Sequence, residues 1–334
     1  MAPLRCQSKE ARMSSARPPL HFILGDGVIG QAVADELARL GQPLTLASRS
    51  GPKGASPHAH TRVDALDAAA LRAATRGCSH LYLTLGLPYV TAVWQRDWPR
   101  VMQATIDAAL AHDAVLVFFD NVYAYGPLPL RVPIREDHPL QPPSCKGAVR
   151  ASLGRLVARA QHERGLKWVI GRSADFYGPG VRQSALYVAA IERQLNGHAA
   201  QWLGHPDARH SFTYTLDAAR GLVRLALDEG AWHRAWHLPT TAPAPTPRQL
   251  LMQSARLLHA PERIQVLPSA LLGVLKVFMP TLRAYSEMLY QNRQEYVFSS
   301  EAFMARYPDF VVTSYEEGVA RMVQSLQSPS KKPA

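Results

Sequence analysis

Three closely spaced glycines are the first residues in this chain whose spacing suggests a chemistry. Gly25-Asp26-Gly27-Val28-Ile29-Gly30 follows a short apolar run and precedes a helical pattern, the context in which a GxGxxG loop receives the diphosphate of a dinucleotide. Gly25 permits the tight turn, Gly27 lets the backbone approach a pyrophosphate, and Gly30 lets the helix pack close to the strand. Val28 and Ile29 then offer main-chain N–H groups at a helix N-terminus, where the dipole favours negative charge. The next strand ends in Ala47-Ser48-Arg49-Ser50, without an acid. An Asp or Glu there would bind the ribose hydroxyls of NAD and repel a 2′-phosphate. Arg49 offers a planar fork of donors instead, with Ser48 and Ser50 as hydroxyl partners, so NADP is the expected cofactor and NAD the second candidate. A solvated surface arginine is the plainer reading of Arg49. Asp64, after the third strand, is placed to reach the adenine amino group, and Leu85 and Gly86 are counted with the same site.

These residues need a scaffold, and the pattern along the chain supplies one. Short apolar runs alternate with helical stretches: strands at His21 to Leu24, Pro43 to Ala47, Thr61 to Val63, His80 to Leu85 and Val115 to Phe119, and helices at Ile29 to Leu40, Ala68 to Ala74 and Val101 to His112. That order predicts an α/β fold, a Rossmann doubly wound parallel sheet covered on both faces. Trp94 and Trp98 are read as preceding the third of these helices, as a substrate lid or as packing for its start. Pro127 to Pro143 is proline-rich and predicts a long loop. A helix at Ala148 to Arg164 and a strand at Trp168 to Gly171 follow. Beyond them the period loosens, Pro239 to Pro247 reads as a connector, and Thr246 opens a largely helical remainder. The expected organisation is a flexible tail at 1–19, the dinucleotide-binding domain at 20–180, a smaller, mostly helical C-terminal substrate region at 181–327 with some return to the core, and a flexible tail at 328–334.

Composition narrows the classes further. The 334 residues carry a formal charge of +11, which attracts anions and suits a phosphate-bearing cofactor or substrate. The arginines are scattered and no nucleic-acid-binding motif is evident, so no nucleic-acid partner is expected. No charge-free run approaches the roughly 18 apolar residues of a membrane span. Cys6, Cys78 and Cys145 are too few and too far apart for a disulfide framework or a paired-cysteine metal site, which fits a reducing, cytoplasmic setting. His205 and His210 are too isolated to bind a metal.

With the loop at Gly25 to Gly30, Asp120-Asn121-Val122-Tyr123-Ala124-Tyr125-Gly126 after the fifth strand, Lys146-Gly147 opening the next helix, and Arg172 to Gly180 reading RSADFYGPG, the chain resembles the extended short-chain dehydrogenase/reductases. More narrowly it resembles the NAD-dependent epimerase/dehydratase family. The resemblance runs from about Phe22 to about Leu227. It implies a nicotinamide cofactor, a small-molecule substrate that is often a nucleotide-linked sugar, and pairing through two helices, so that Val101 to His112 and Ala148 to Arg164 would form a homodimer. It also implies a serine or threonine after the fifth strand and a Tyr-x-x-x-Lys pair, in which the lysine and the cofactor ribose lower the tyrosine pKa for proton exchange.

The chain departs from that pattern at two of the three positions. Lys146 fits the lysine, but Pro142 stands where the tyrosine belongs, and Asn121 occupies the serine position. Tyr123, Tyr125, Tyr177 and His138 are the candidates for a replacement acid, Tyr125 and Tyr177 foremost, and each tyrosine reads equally well as a packed ring with a satisfied hydroxyl. Arg172 and Arg209 are candidates to hold a substrate phosphate or carboxylate. Tyr214 joins them in the segment Arg209 to Asp217, which resembles the family's substrate-closing stretch, and Asp217 is read as the cap of a helix from Ala218 to Leu227. The expectation is an NADP-dependent oxidoreductase or epimerase/dehydratase-like enzyme acting on a small polar substrate. The alternative is a non-catalytic NADP-binding sensor or scaffold.

Overall fold

Period-two alternation along the strands sorts two apolar faces, and the computed structural model shows what covers each. It describes residues 20–52, 56–182, 184, 186–267 and 286–327; both expected tails lie outside these residues. Strands β1 (Leu20–Leu24), β2 (Leu44–Ser48), β3 (His60–Arg62), β4 (Cys78–Leu83), β5 (Val115–Asn121) and β6 (Trp168–Ser173) alternate with helices α1 (Val28–Arg39), α2 (Ala68–Ala74), α3 (Thr91–Ala111) and α4 (Cys145–Arg164). Phe22, Leu24, Leu81, Leu116, Phe118 and Ile170 face α2, α3 and α4. Ile23, Leu46, Tyr82, Val115, Val117 and Val169 face α1 and α6 (Thr215–Ala226). A strand buried on both faces reads as a continuous apolar run, which is why Val115 to Phe119 stood out in the sequence.

A seventh strand, β10 (Ala235–His237), completes one parallel sheet in the order β10-β6-β5-β4-β1-β2-β3. Successive strands are added on one side of β1 up to β3 and on the other from β4 onward, so the topological switch point, and with it the crevice for a ligand, lies beyond the carboxyl ends of β1 and β4. The smaller region contains β7 (Asp175–Tyr177), α5 (Glu192–Leu195), β8 (Ala200–Leu203), β9 (Phe212–Tyr214), α7 (Pro247–Leu257), β11 (Ile264–Leu267) and α9 (Tyr315–Gln327), with β7 paired to β9 and β11 to β8, whereas α8 (Glu301–Arg306) returns to the main sheet, its Phe303 packed in the core with α1 and α6. Strands of three or four residues are too short to show a period. Among the described residues no helix is long and apolar enough to cross a membrane.

Two local expectations need correction. Helix α3 begins at Thr91, ten residues before Val101, so Trp94 and Trp98 lie inside it and not ahead of it. Pro99 lies inside this helix, where a proline removes one helical donor. Burial of both indoles, 4% and 1% exposed, holds the helix through that position. Helix α6 begins at Thr215, so Asp217 sits in its first turn and does not cap it; its carboxylate accepts from the Thr313 N–H at 2.6 Å and from Arg220 at 2.9 Å.

On the α1 face, near the start of β1, two buried imidazoles stack. The His21 and His80 rings lie 4.5 Å apart, His21 Nδ1 is 3.1 Å from the Tyr82 hydroxyl, and His80 Nε2 is 3.2 Å from the Ala226 carbonyl. Burial, and then the neighbouring His80, hold the His21 pKa down to about 4, and burial lowers that of His80. The unfolded chain binds these protons near pH 6.5, so between there and about pH 4 it binds more protons than the folded one. Stability should therefore be full above about pH 6.5 and fall as pH drops toward 4, by about 1.4 kcal/mol per pH unit per proton. Urea midpoints measured at both ends of this window test it, with His21→Gln expected to flatten the slope; equal midpoints in the wild type would refute it.

Candidate functional site

The glycine loop joins β1 to α1 and is fixed from below. The Gly25 N–H donates to the Ala47 carbonyl at 2.8 Å, and Thr84 Oγ donates toward the Leu24 and Gly25 carbonyls at 3.3 and 3.2 Å. Gly25 has φ +125°, and a Cβ there would meet the Leu85 backbone at 2.5 Å; a Cβ on Gly30 would overlap the Gly25 carbonyl. Gly27 differs, since nothing stands within 4 Å of the place its Cβ would occupy. It is the N-cap residue of α1, with extended backbone and no side-chain cap. An uncapped helix N-terminus with open space at Gly27 fits the diphosphate of a dinucleotide.

The β2–β3 edge lies beside this loop. Arg49 and Ser50 are exposed; Ser48 is buried, its hydroxyl donating to the Gly51 carbonyl at 3.1 Å and lying 3.3 Å from His60 Nε2. Arg62, which the sequence reading passed over, is also exposed and donates from Nε to the Arg49 carbonyl at 3.0 Å. Two exposed arginines thus stand at the carboxyl ends of adjacent strands, Arg49 just after β2 and Arg62 as the last residue of β3. Asp26 comes within 3.9 Å of His60. Asp64 is half-buried and turns its carboxylate to the Leu66 N–H at 3.0 Å, while Leu85 packs partly on the core and Gly86 is exposed.

Lys146 lies in the first turn of α4, where Ser144 caps the helix through the Gly147 N–H at 3.0 Å. Its side chain is fully buried, and Nζ pairs with Glu287, donates to Thr91 Oγ at 3.0 Å, and stands 4.4 Å from the centre of the Tyr89 ring. The Tyr89 and Tyr123 hydroxyls are 3.5 Å apart, and burial raises the Tyr123 pKa. The Lys146 side chain is fully buried and that of Glu287 20% exposed, so solvent reaches the pair only from the Glu287 side. Tyr89, Thr91 and Glu287 were not singled out from sequence. Tyr89 and Thr91 follow β4 closely, which places them at the carboxyl edge; Glu287 is 141 residues from Lys146 and carries no local signal.

The other nominated residues are dispersed over several places. Asn121 ends β5, and its side-chain oxygen accepts from the Tyr123 N–H at 3.1 Å. Tyr125 is enclosed: Arg172 donates to its hydroxyl at 2.9 Å, and the hydroxyl meets His237 Nε2 at 2.6 Å, while His237 Nδ1 meets the Ser299 carbonyl. Arg172 also reaches Asp120 at 3.4 Å, so it faces a carboxylate of the protein itself. Tyr177 and Tyr214 pack as buried rings with centres 5.5 Å apart in the cluster formed with α9. Arg209 is on the surface in a two-point pair with Glu295, at 2.7 and 2.9 Å. His138 is buried with its ring edge-on to Tyr125. His210 pairs with Asp175 at 3.0 Å, and among the described residues no three His, Cys, Asp or Glu groups are placed to hold a metal.

Known proteins give this geometry a context. Residues 22–234 match the model of the NAD-dependent epimerase/dehydratase family. No curated protein matches the chain in sequence. Solved structures align over nearly its full length: UDP-glucose 4-epimerase of Thermus thermophilus in complex with NAD has a TM-score of 0.72 at 18% identity, covering 93% of this chain and 99% of that one. Epimerase Mth375 of Methanothermobacter thermautotrophicus has a TM-score of 0.77 at 13% identity, with 92% of each chain covered. The dTDP-glucose 4,6-dehydratase DesIV of Streptomyces venezuelae, with NAD and TYD bound, has a TM-score of 0.74 at 18% identity, covering 93% and 97%. At such identities these likenesses carry the fold, and the family match spans well over half of the sequence. The chain belongs to the NAD-dependent epimerase/dehydratase family.

Proposed function

We propose that the protein is an NADP-dependent oxidoreductase or epimerase/dehydratase-like enzyme acting on a small polar substrate of the nucleotide-sugar class. The observation that carries the cofactor choice is the pair of exposed guanidinium side chains, Arg49 and Arg62, at the β2–β3 edge where a ribose-binding carboxylate would otherwise stand. When bound, the nicotinamide supplies a hydride donor or acceptor. Gly25, Gly27 and Gly30, with the Val28 and Ile29 N–H groups, receive the diphosphate. Lys146 provides the ammonium for the ribose, as the family resemblance implies. Thr91 Oγ accepts from that ammonium at 3.0 Å, and the tyrosines beside it are Tyr89, whose ring centre is 4.4 Å away, and, through the Tyr89 hydroxyl, Tyr123. With its pKa raised by burial, Tyr123 stays protonated at neutral pH and serves as a hydrogen-bond donor to a substrate oxygen. Tyr125 already bridges Arg172 and His237, and Tyr177 is closed in by α9, so we assign both to packing.

Calorimetry with NADPH and NADH tests the reading. Arg49→Glu combined with Arg62→Glu should weaken NADPH roughly 100-fold, the loss of two charge-assisted contacts to a 2′-phosphate, and change NADH by less than about threefold. Equal losses for both cofactors would remove the assignment, and absence of heat from either in the wild type would remove the function. Oxidation of NADPH over a panel of keto-sugars and nucleotide-linked sugars separates turnover from binding alone.

A further inference from the structure

Glu287 accepts more donors than any other carboxylate near the site, and the proposed function assigns it no part. One oxygen accepts from the Cys145 and Lys146 N–H groups at 3.1 and 3.4 Å, at the N-terminus of α4. The other accepts the Thr91 hydroxyl at 2.8 Å and the Lys146 ammonium. A single carboxylate therefore fixes both the backbone and the side-chain end of the same residue. We infer that Glu287 is a positioning residue for Lys146, supplying from the C-terminal region a fixed polar partner where Pro142, ahead of α4, offers none. This rests on the reading that Lys146 serves the cofactor ribose.

Tyr89 lies against the ammonium, with Tyr123 beyond it; Tyr290 lies near Glu287, Asp175 acts on both Tyr290 and Tyr123, and one turn along α4 the Arg150 guanidinium lies 3.5 Å from Asp120. A lysine stem is flexible and its ammonium is a point charge, so its direction has to be imposed by its partners. A helix N-terminus favours a negative charge, and Glu287 satisfies that end as well.

Fluorescence titration with NADPH from about pH 6 to about pH 9 distinguishes a positioning role from a merely structural one. The wild type should hold a level affinity across this range. E287Q should bind roughly tenfold more weakly at neutral pH and weaken further as pH rises, because a buried ammonium without its counter-ion releases its proton more readily. E287D, which keeps the charge, should restore the level profile, and formate added to E287A should recover part of the affinity. An E287Q profile identical to the wild type, or tighter binding in E287Q, would overturn the inference while leaving the cofactor reading intact. Wild-type protein that binds no NADPH would instead remove the cofactor reading. Should E287Q not fold, T91V weakens the same carboxylate–ammonium unit and should tilt the profile in the same direction; a level T91V profile would overturn the proposal.

Discussion

Asp120→Ala should bring the protein close to unfolding, with a loss of about 3–5 kcal/mol read from urea or guanidinium midpoints. Asp120 is 2% exposed and lies between two buried guanidinium groups, Arg172 at 3.4 Å and Arg150 at 3.5 Å. Arg150 is held between the rings of Trp94 and Trp98, 4.8 and 4.2 Å from its guanidinium carbon, and burial pulls its pKa down. One negative charge thus compensates two positive ones in a region that excludes water. Removing it leaves both uncompensated, whereas Arg150→Met removes the surplus charge and fills the aromatic slot with a flexible apolar chain. The second change should therefore cost much less than the first. An Asp120→Ala protein within about 1 kcal/mol of the wild type would show that the two guanidinium groups need no such anchor.

The same pair marks the boundary of what could be read along the chain. The first β-α-β unit was legible because strand, glycine loop, helix and second strand are contiguous, and each signal acts over a few residues. Arg172 was a reasonable candidate for binding an anion, and an anion is what it meets, but that anion is Asp120. The two residues are 52 positions apart and become neighbours through the parallel register of β5 and β6, where they are directly paired. Glu287 and Lys146 meet across a still longer separation. In α3 the difference is local, where burial of the Trp94 and Trp98 side chains holds the helix through Pro99. Pairing across strands and between regions determines the polar contacts, and periodicity carries no information about it.

Gly27→Asp should abolish NADPH binding and leave the fold as stable as before or slightly more so. Aspartate is among the best N-cap residues, and Gly27 holds the N-cap position of α1 in an extended conformation that any residue adopts. Space is no obstacle, since nothing lies within 4 Å of the new Cβ. On stability alone, then, glycine is the poorer choice here, by a few tenths of a kcal/mol. The same carboxylate would cap the N–H groups proposed for the diphosphate and repel its charge, so affinity should fall at least about 100-fold. Gly30→Ala makes the contrast. Its Cβ would overlap the Gly25 carbonyl and come within 2.9 Å of Thr84 Oγ, so the loop must shift, and stability and binding should fall together. Thermal melts paired with NADPH titrations read both quantities on each variant. If Gly27→Asp bound NADPH as the wild type does, the diphosphate could not lie at this helix end, and the glycine would need another explanation.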